Sequence, residues 1–221
     1  FGQNAVIDAG YLEMLSKEAE HDPAHIPMVV AELAELNRLL PGIPVVAASD
    51  SAFHSTMPAV ARRYAIPSQS GIERAGFHGL SVSSAVSQLE KLLGKIPERA
   101  IVCHMGSGVS ITALLNGKSI ETSMGYSPLS GVLMSTRSGD LDPAVVIKLL
   151  RAGALAPEDL LKELELNSGL LAISGQSGEV RELLEAEVAG DARAKLAIEY
   201  FIKAVLKYIA GYTAILGGAD L

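Results

Sequence analysis

The chain has 221 residues, 49% of them hydrophobic, a formal net charge of −7 and a single cysteine, Cys103. That length and composition suit one large or two small hydrophobic cores. The acidic balance argues against nucleic acid or an anionic membrane as the main partner. No apolar run reaches the roughly 18 residues that span a bilayer, and a lone cysteine allows no internal disulfide, which fits a reducing, cytoplasmic setting.

In chain order, residues 7–16 carry a short helical pattern. Asp22-Pro23 and His25-Ile26-Pro27 predict a loop, and a helix follows over 28–39, stopped by Pro41-Gly42. Residues 43–48, Ile-Pro-Val-Val-Ala-Ala, read as a short apolar strand that ends at Ser49-Asp50-Ser51. Polar residues at the exit of a strand are where open α/β sheets place their chemistry. Pro58 predicts a broken helix over 52–64, and 66–75 is a loop carrying Pro67 and Gly71. A helix over 81–93 puts Val82, Val86, Leu89 and Leu93 on one face.

The most informative stretch comes next. Ala100-Ile101-Val102-Cys103 is a buried strand, Gly106-Ser107-Gly108 a tight turn, and 109–115 a second strand rich in β-formers. Asn116-Gly117 predicts a hairpin, and a third strand over 119–124 closes a meander. Gly106 and Gly108 leave the turn almost bare, so its backbone N–H groups can approach an anion. The plain alternative is a hairpin that needs glycine for its dihedrals. Thr136-Arg137-Ser138-Gly139-Asp140 then brings a cation. Together these features suggest phosphate handling, which needs charge stabilisation more than covalent help.

Asp142 as N-cap and Pro143 at the first helical position start a helix that runs to about Arg151. Pro157 opens another, ending near Asn167-Ser168-Gly169, and residues 174–178 form a polar, glycine-bearing loop. Helices are predicted over 179–188 and 191–216. In the last, Glu199, Lys203 and Lys207 mark a solvated stripe, and the other faces are expected to be buried against the sheet or a partner subunit. His21 and His25 have the spacing of a helical zinc pair, but Pro23 lies between them and the cysteine is far away, which argues against zinc. Cys103 and His104 are strand neighbours with opposed side chains, so they form no dyad.

Four blocks occur in a telling order: Gly76-Phe77-His78-Gly79-Leu80-Ser81, then His104-Met105-Gly106-Ser107-Gly108, then Glu121-Thr122-Ser123-Met124-Gly125, then Thr136 to Pro143. They resemble the acetate kinase family, and the resemblance runs through nearly the whole chain. It implies an α/β, actin-like ATPase (ribonuclease H-like) fold. Residues 1–50 would be the C-terminal part of the first domain, and 51–221 the second domain without its final strand and helices. The implied activity is reversible phosphoryl transfer between ATP and the carboxylate of acetate or propionate, with Mg²⁺, in a cytoplasmic homodimer.

By the resemblance, His78 and Arg137 stabilise the transition state, and Asp50 is a third catalytic residue, close to the Mg²⁺ without necessarily touching it. His104, Met105, Gly106, Ser107 and Gly108 match the nucleotide-phosphate loop. Glu179-Val180-Arg181 match an Asp-x-Arg segment on the adenosine side. Ala24, His25, Phe77 and Pro128 match the acyl pocket, with Ala24 where the family commonly has Leu, which leaves room for an acid larger than acetate. From the residues alone, plainer roles stay open. His78 is then a surface loop histidine, Arg137 an ion-pair partner of Asp140 or Asp142, Asp50 the cap of the next helix, and Glu179 and Arg181 first-turn charges.

Several positions depart from the family pattern. Ser107 stands for Asn, Val82 for His, Glu179 for Asp, Ser135 for Gly, and Glu73 for Arg, the last reversing a charge. The chain also begins at Phe1 and ends at Gly217-Gly218-Ala219-Asp220-Leu221, directly after a helical pattern, where an α/β chain would lead into another strand. The family's carboxylate-binding Arg, adenosine loop and C-terminal metal Glu have no counterpart here. The expectation is a central portion of an acetate or propionate kinase, inactive as an isolated chain. The competing reading is a non-catalytic module that keeps the fold for binding or assembly; the retained Asp50, His78, Arg137 and glycine turn favour the kinase.

Overall fold

An antiparallel meander carries the centre of the molecule: β3 (Arg99–Met105), β4 (Val109–Leu115) and β5 (Lys118–Thr122), in that spatial order. The computed structural model describes residues 3–17, 26–67, 71–153 and 155–221. His21, Ala24 and His25 lie outside the described residues. β3 and β4 pair without interruption from Arg99↔Leu115 to Met105↔Val109, closed by the glycine turn, where the Gly106 N–H donates to the Gly108 carbonyl at 3.0 Å. Asn116 and Gly117 both adopt positive φ, 50° and 73°, the conformation that a two-residue hairpin with right-handed strand twist demands. β4 and β5 shift register between Ala113 and Leu114.

β4 lies between its two neighbours, and its two faces have different company. Val109, Ile111 and Ala113 face the main core, shared with Met124, Val132, Met134, Leu170, Leu183 and the inner side of the longest helix. Ser110, Thr112 and Leu114 point the other way, as strand periodicity requires. Leu114 joins Val82 and Ala100 in a second, smaller cluster. Ser110 and Thr112 are fully buried yet paired, Thr112 Oγ1 lying 3.1 Å from Thr122 Oγ1. The third strand stops at Thr122 rather than continuing to Met124. There the Arg74 guanidinium donates to the carbonyls of Thr122, Ser123 and Met124.

Before the meander come β1 (Ala5–Val6), α1 (Ala9–Lys17), α2 (Ile26–Leu39) and β2 (Val46–Ala47). α2 begins two residues earlier than the prolines suggested, because Pro27 falls in the first turn, where its missing N–H is no loss. The strand expected over 43–48 narrows to two residues, since its partner β1 offers only Ala5 and Val6 to pair with. Pro58 does break the following helix, into a 3-10 turn over Ala52–Thr56 and α3 (Ala59–Arg62). α4 (Gly79–Leu93) then leads to β3.

After the meander come α5 (Pro143–Arg151), α6 (Pro157–Leu166), α7 (Gly169–Ser174), α8 (Val180–Val188) and α9 (Ala192–Leu216). The Asp142 carboxylate caps α5 and that of Asp191 caps α9, each by accepting first-turn N–H bonds. α7 was not foreseen: it is short, and it exists because 168–171 zips onto 134–136. The N–H groups of Ser168, Leu170 and Leu171 donate to the carbonyls of Thr136, Met134 and Ser135 at 2.8, 2.9 and 3.0 Å. Gly169, at φ 62°, lies where a Cβ would come within 2.2 Å of the Met134 carbonyl oxygen.

α9 buries Ala194, Ala197, Ile198, Val205, Tyr212 and Leu216 and exposes Glu199, Lys203 and Lys207. Its remaining faces are not all covered within this chain. Leu196, Tyr200, Ile202, Leu206 and Ile215 are exposed, because the sheet, α7 and α8 pack on one side of the helix. Beyond α9, Asp220 and Leu221 hydrogen-bond to Arg99 and Ile101 on the free edge of β3. No helix among the described residues is long and apolar enough to cross a membrane.

Candidate active site

β2 delivers Asp50 to the N-terminus of α4, and the two are joined through the backbone. His78, at the N-cap, adopts the left-handed conformation (φ 61°, ψ 20°) and makes no side-chain cap bond of its own. Asp50 supplies the cap from 28 residues away: Oδ2 accepts the His78 N–H at 2.5 Å and Oδ1 the Leu80 N–H at 3.2 Å. The Asp50 carbonyl accepts the Gly79 N–H at 2.9 Å. Contact is so close that a Cβ on Gly79 would lie 2.1 Å from that carbonyl oxygen. Asp50 is therefore a helix cap, but of α4 rather than of the helix next in sequence. A carboxylate there also complements the positive end of the helix dipole.

This junction projects the His78 ring over β4. Nδ1 lies 3.0 Å from the buried Ser110 hydroxyl, and the ring stacks on His104, whose Nδ1 lies 2.9 Å from Ser81 Oγ. Burial, then the neighbouring His104, push the His78 pKa down to about 4, against the opposing pull of Asp50. At neutral pH the ring is thus an uncharged donor and acceptor. A Cβ placed on Gly108 would lie 3.1 Å from His78 Nε2 and 3.6 Å from Arg137 Nη1, so the glycine turn abuts both groups. His104 lies on the His78 side of the turn, stacked on that ring.

Arg137 reaches this point from the loop that α7 pins. Its Nη1 donates to the Pro128 carbonyl at 3.4 Å and lies 3.8 Å from Met134 Sδ. The proposed ion pairs with Asp140 and Asp142 do not form. Asp140 accepts the Gly131 N–H at 2.9 Å and the Tyr208 hydroxyl, and Asp142 caps α5. Burial, then Asp140, raise the pKa of Tyr208. Among the described residues Arg137 pairs with no carboxylate, which leaves its fork of donors available to an oxyanion. Pro128 is drawn to the site by this contact, and Phe77 packs half-buried against the main core beside His78.

On the far side of the glycine turn opens a cleft of about 570 Å³, lined by Met105, Gly106, Ser107, Ser135, Glu179, Val180, Arg181, Glu182 and Phe201. It unites two motifs that lie far apart in sequence. Ser135 N–H donates to the Ser107 carbonyl at 3.3 Å, and Gly178 packs so tightly on Ser135 that a Cβ would fall 2.5 Å from its oxygen. Glu179 and Arg181 are exposed at the start of α8, as a first-turn reading also predicts. The reversed charge at Glu73 meets local partners, Arg62 at 3.7 Å and Arg63 at 3.8 Å.

Sequence reasoning missed Ser81 and Ser110, which anchor the two rings, and His54, which lies under the Phe77–His78 loop. A polar residue on the inward register of a buried strand was the available signal for Ser110. No group of three or more His, Cys, Asp or Glu side chains that could hold a metal ion occurs among the described residues. Both Asp50 oxygens already accept backbone N–H bonds. Their remaining lone pairs can accept from a further donor such as a water molecule.

The model of the Acetokinase family matches residues 1–221. The acetate kinase of Geobacillus sp. strain WCH70 is 38% identical over the whole of this chain and 57% of its own length. The crystal structure of Porphyromonas gingivalis acetate kinase overlaps with a TM-score of 0.90 at 34% identity, covering 100% of this chain and 57% of that one. A propionate kinase from Francisella tularensis subsp. tularensis SCHU S4 gives a TM-score of 0.91 at 36% identity, covering 100% and 58%. The chain thus spans somewhat more than half the length of these relatives, and its mixed architecture is consistent with the actin-like ATPase fold. With the family's model matched from end to end and its solved structures overlapping the whole chain, this chain belongs to the acetate kinase family.

Proposed function

We propose that the protein containing this chain transfers the γ-phosphoryl group of ATP to a short-chain carboxylate, acetate or propionate, and runs the reaction in reverse. The observation that carries the proposal is the convergence of His78 Nε2, Arg137 Nη1 and the glycine turn on one point beside a nucleotide-sized cleft. A carboxylate is already ionised at neutral pH. One of its oxygens forms the new bond to phosphorus as the bond to the β–γ bridging oxygen breaks and ADP leaves, so no proton has to be moved. The site therefore needs donors around the phosphoryl oxygens rather than a base. Neutral His78 and fork-shaped Arg137 meet that need. With the Ser110 hydroxyl donating to Nδ1, His78 presents its Nε2–H to a phosphoryl oxygen.

Met105–Ser107 and Glu179–Arg181 cradle the nucleotide, with the bare turn facing its phosphates. Phe77 and Pro128 flank the acyl group. Asp50 holds the His78 loop and helps to place a hydrated Mg²⁺, which when bound neutralises phosphate charge. The test is carboxylate-dependent ADP release by the full-length protein with acetate and with propionate. No release with either acid refutes the proposal.

A further inference from the structure

We propose that His54 is a positioning residue: from beneath the loop it holds the carbonyl side of the Phe77–His78 peptide, whose N–H side Asp50 holds, and so fixes the direction in which the His78 ring points. The inference rests on the acyl-phosphotransfer reading above for its kinetic consequence, but not for its geometry.

His54 is 1% exposed and lies in the 3-10 turn that follows Asp50. Its Nε2 is 3.0 Å from the Phe77 carbonyl oxygen, and its Nδ1 is 2.9 Å from Ser119 Oγ. A carbonyl only accepts, so Nε2 carries the hydrogen. Nδ1 of the neutral ring is then the acceptor, and the Ser119 hydroxyl donates to it. Burial favours that neutral form by lowering the His54 pKa. The supporting strand is itself fixed, because the Thr56 hydroxyl donates to the Ser119 carbonyl at 2.8 Å.

One peptide unit is thereby gripped at both ends. Its C=O accepts from His54 and its N–H donates to Asp50 at 2.5 Å. One residue earlier, the Gly76 carbonyl accepts the Ser51 hydroxyl at 2.6 Å. The imidazole also lies close against Gly76, where a Cβ would meet its Cγ and Cδ2 at 2.7 Å. A clamp of this kind matters because His78 is not glycine and sits at φ 61°, a conformation that non-glycine residues keep only when their surroundings impose it. Rotation of the peptide would swing the ring off Ser110 and away from Gly108. In phosphoryl transfer a misplacement of about 1 Å is enough to lose on the order of 10²-fold in rate.

The side chain of Gln can place an amide N–H where His54 Nε2 stands, whereas Asn reaches only the position of Nδ1. In the full-length protein, His54→Asn should lower kcat about 10-fold or more while KM for ATP stays within about twofold, and His54→Gln should recover most of the loss. In the same full-length protein, proton exchange at the His78 amide, followed by NMR, should run about 10-fold faster in His54→Asn than in the wild type and near the wild-type rate in His54→Gln. Equal kcat in the two variants, or unchanged exchange in His54→Asn, overturns the clamp. If His54→Asn does not fold, His54→Phe replaces it, since it keeps a buried ring of similar size and removes the donor to the Phe77 carbonyl. Slower turnover with faster exchange supports the clamp there, and no change in either overturns it. The exchange measurement needs no substrate. Absence of activity in the wild type would refute the phosphotransfer reading, and unchanged exchange would refute the clamp.

Discussion

His78 and His104 stack with ring centroids 4.0 Å apart and planes 23° from parallel, each anchored at Nδ1 by a serine hydroxyl, Ser110 and Ser81. Two imidazolium ions stacked at that distance would repel, so the arrangement favours a neutral His78 and leaves both Nε2 atoms toward the glycine turn. This pairing has a consequence for stability. The folded pKa of His78, about 4, lies below the ordinary value of 6.5, so between those values the unfolded chain binds more protons than the folded one. Stability therefore rises with pH through that window and is lost as pH falls from about 6.5 toward 4. His54, buried and shifted down as well, acts in the same direction. After allowance for solvent around the half-exposed ring, His78 should contribute about 1–2 kcal/mol of acid sensitivity. Urea midpoints of residues 1–221 between pH 7.5 and 4.5 should fall less steeply in His78→Gln than in the wild type; equal slopes would exclude this contribution.

Arg137→Ala in the full-length protein should lower kcat about 10²-fold or more, the scale of losing a charge-stabilising donor. Arg137→Lys should restore little, because a point charge does not reproduce the two-pronged donation of a guanidinium. Steady-state kinetics with saturating acetate distinguish the outcomes, and an Arg137→Ala enzyme with unchanged kcat would remove Arg137 from the proposed site.

Gly108→Ala tests the crowding around the turn. Gly108 does not use positive φ, so its backbone tolerates alanine, but the new methyl would lie 3.1 Å from His78 Nε2 and 3.6 Å from Arg137 Nη1. The expected result is a fall in kcat of about 10-fold or more with little change in thermal midpoint. A fully active variant would show that the phosphoryl group passes elsewhere.

Gly169→Ala should act in the opposite way, on stability first. Its φ of 62° and the Met134 carbonyl 2.2 Å from the would-be Cβ leave no room for the methyl. Overpacking and backbone strain should together destabilise the chain by about 1–3 kcal/mol in chemical denaturation. The Arg137 loop, zipped to the same segment, should loosen with it, visible as faster exchange of the Leu170 and Leu171 amides.

The sequence by itself determined those features that depend on near neighbours. β4 was legible because a stretch rich in β-formers lies between a glycine turn and Asn-Gly, and the hairpin conformation follows from the backbone freedom of those two residues. α5 and α9 were legible because Asp142 and Asp191 cap them within two or three residues. The motif blocks identified the family for the same reason: each is a short, contiguous string.

Only the tertiary structure decided what depends on contact across long stretches of chain. No local pattern says that Asp50 caps a helix 28 residues away, that His104 stacks on His78, or that Met105–Ser107 and Glu179–Arg181 share one cleft. α7 escaped notice because its N–H groups are satisfied by 134–136, not by its own sequence. Which flank of α9 the rest of this chain covers was likewise not legible, because periodicity reports which residues are apolar, whereas burial depends on which elements pack against them. The electrostatics of His78 belong to the same class, since a pKa is set by the dielectric and the charges that the fold gathers around a ring, and those come from β2, β3, β4 and the Arg137 loop at once.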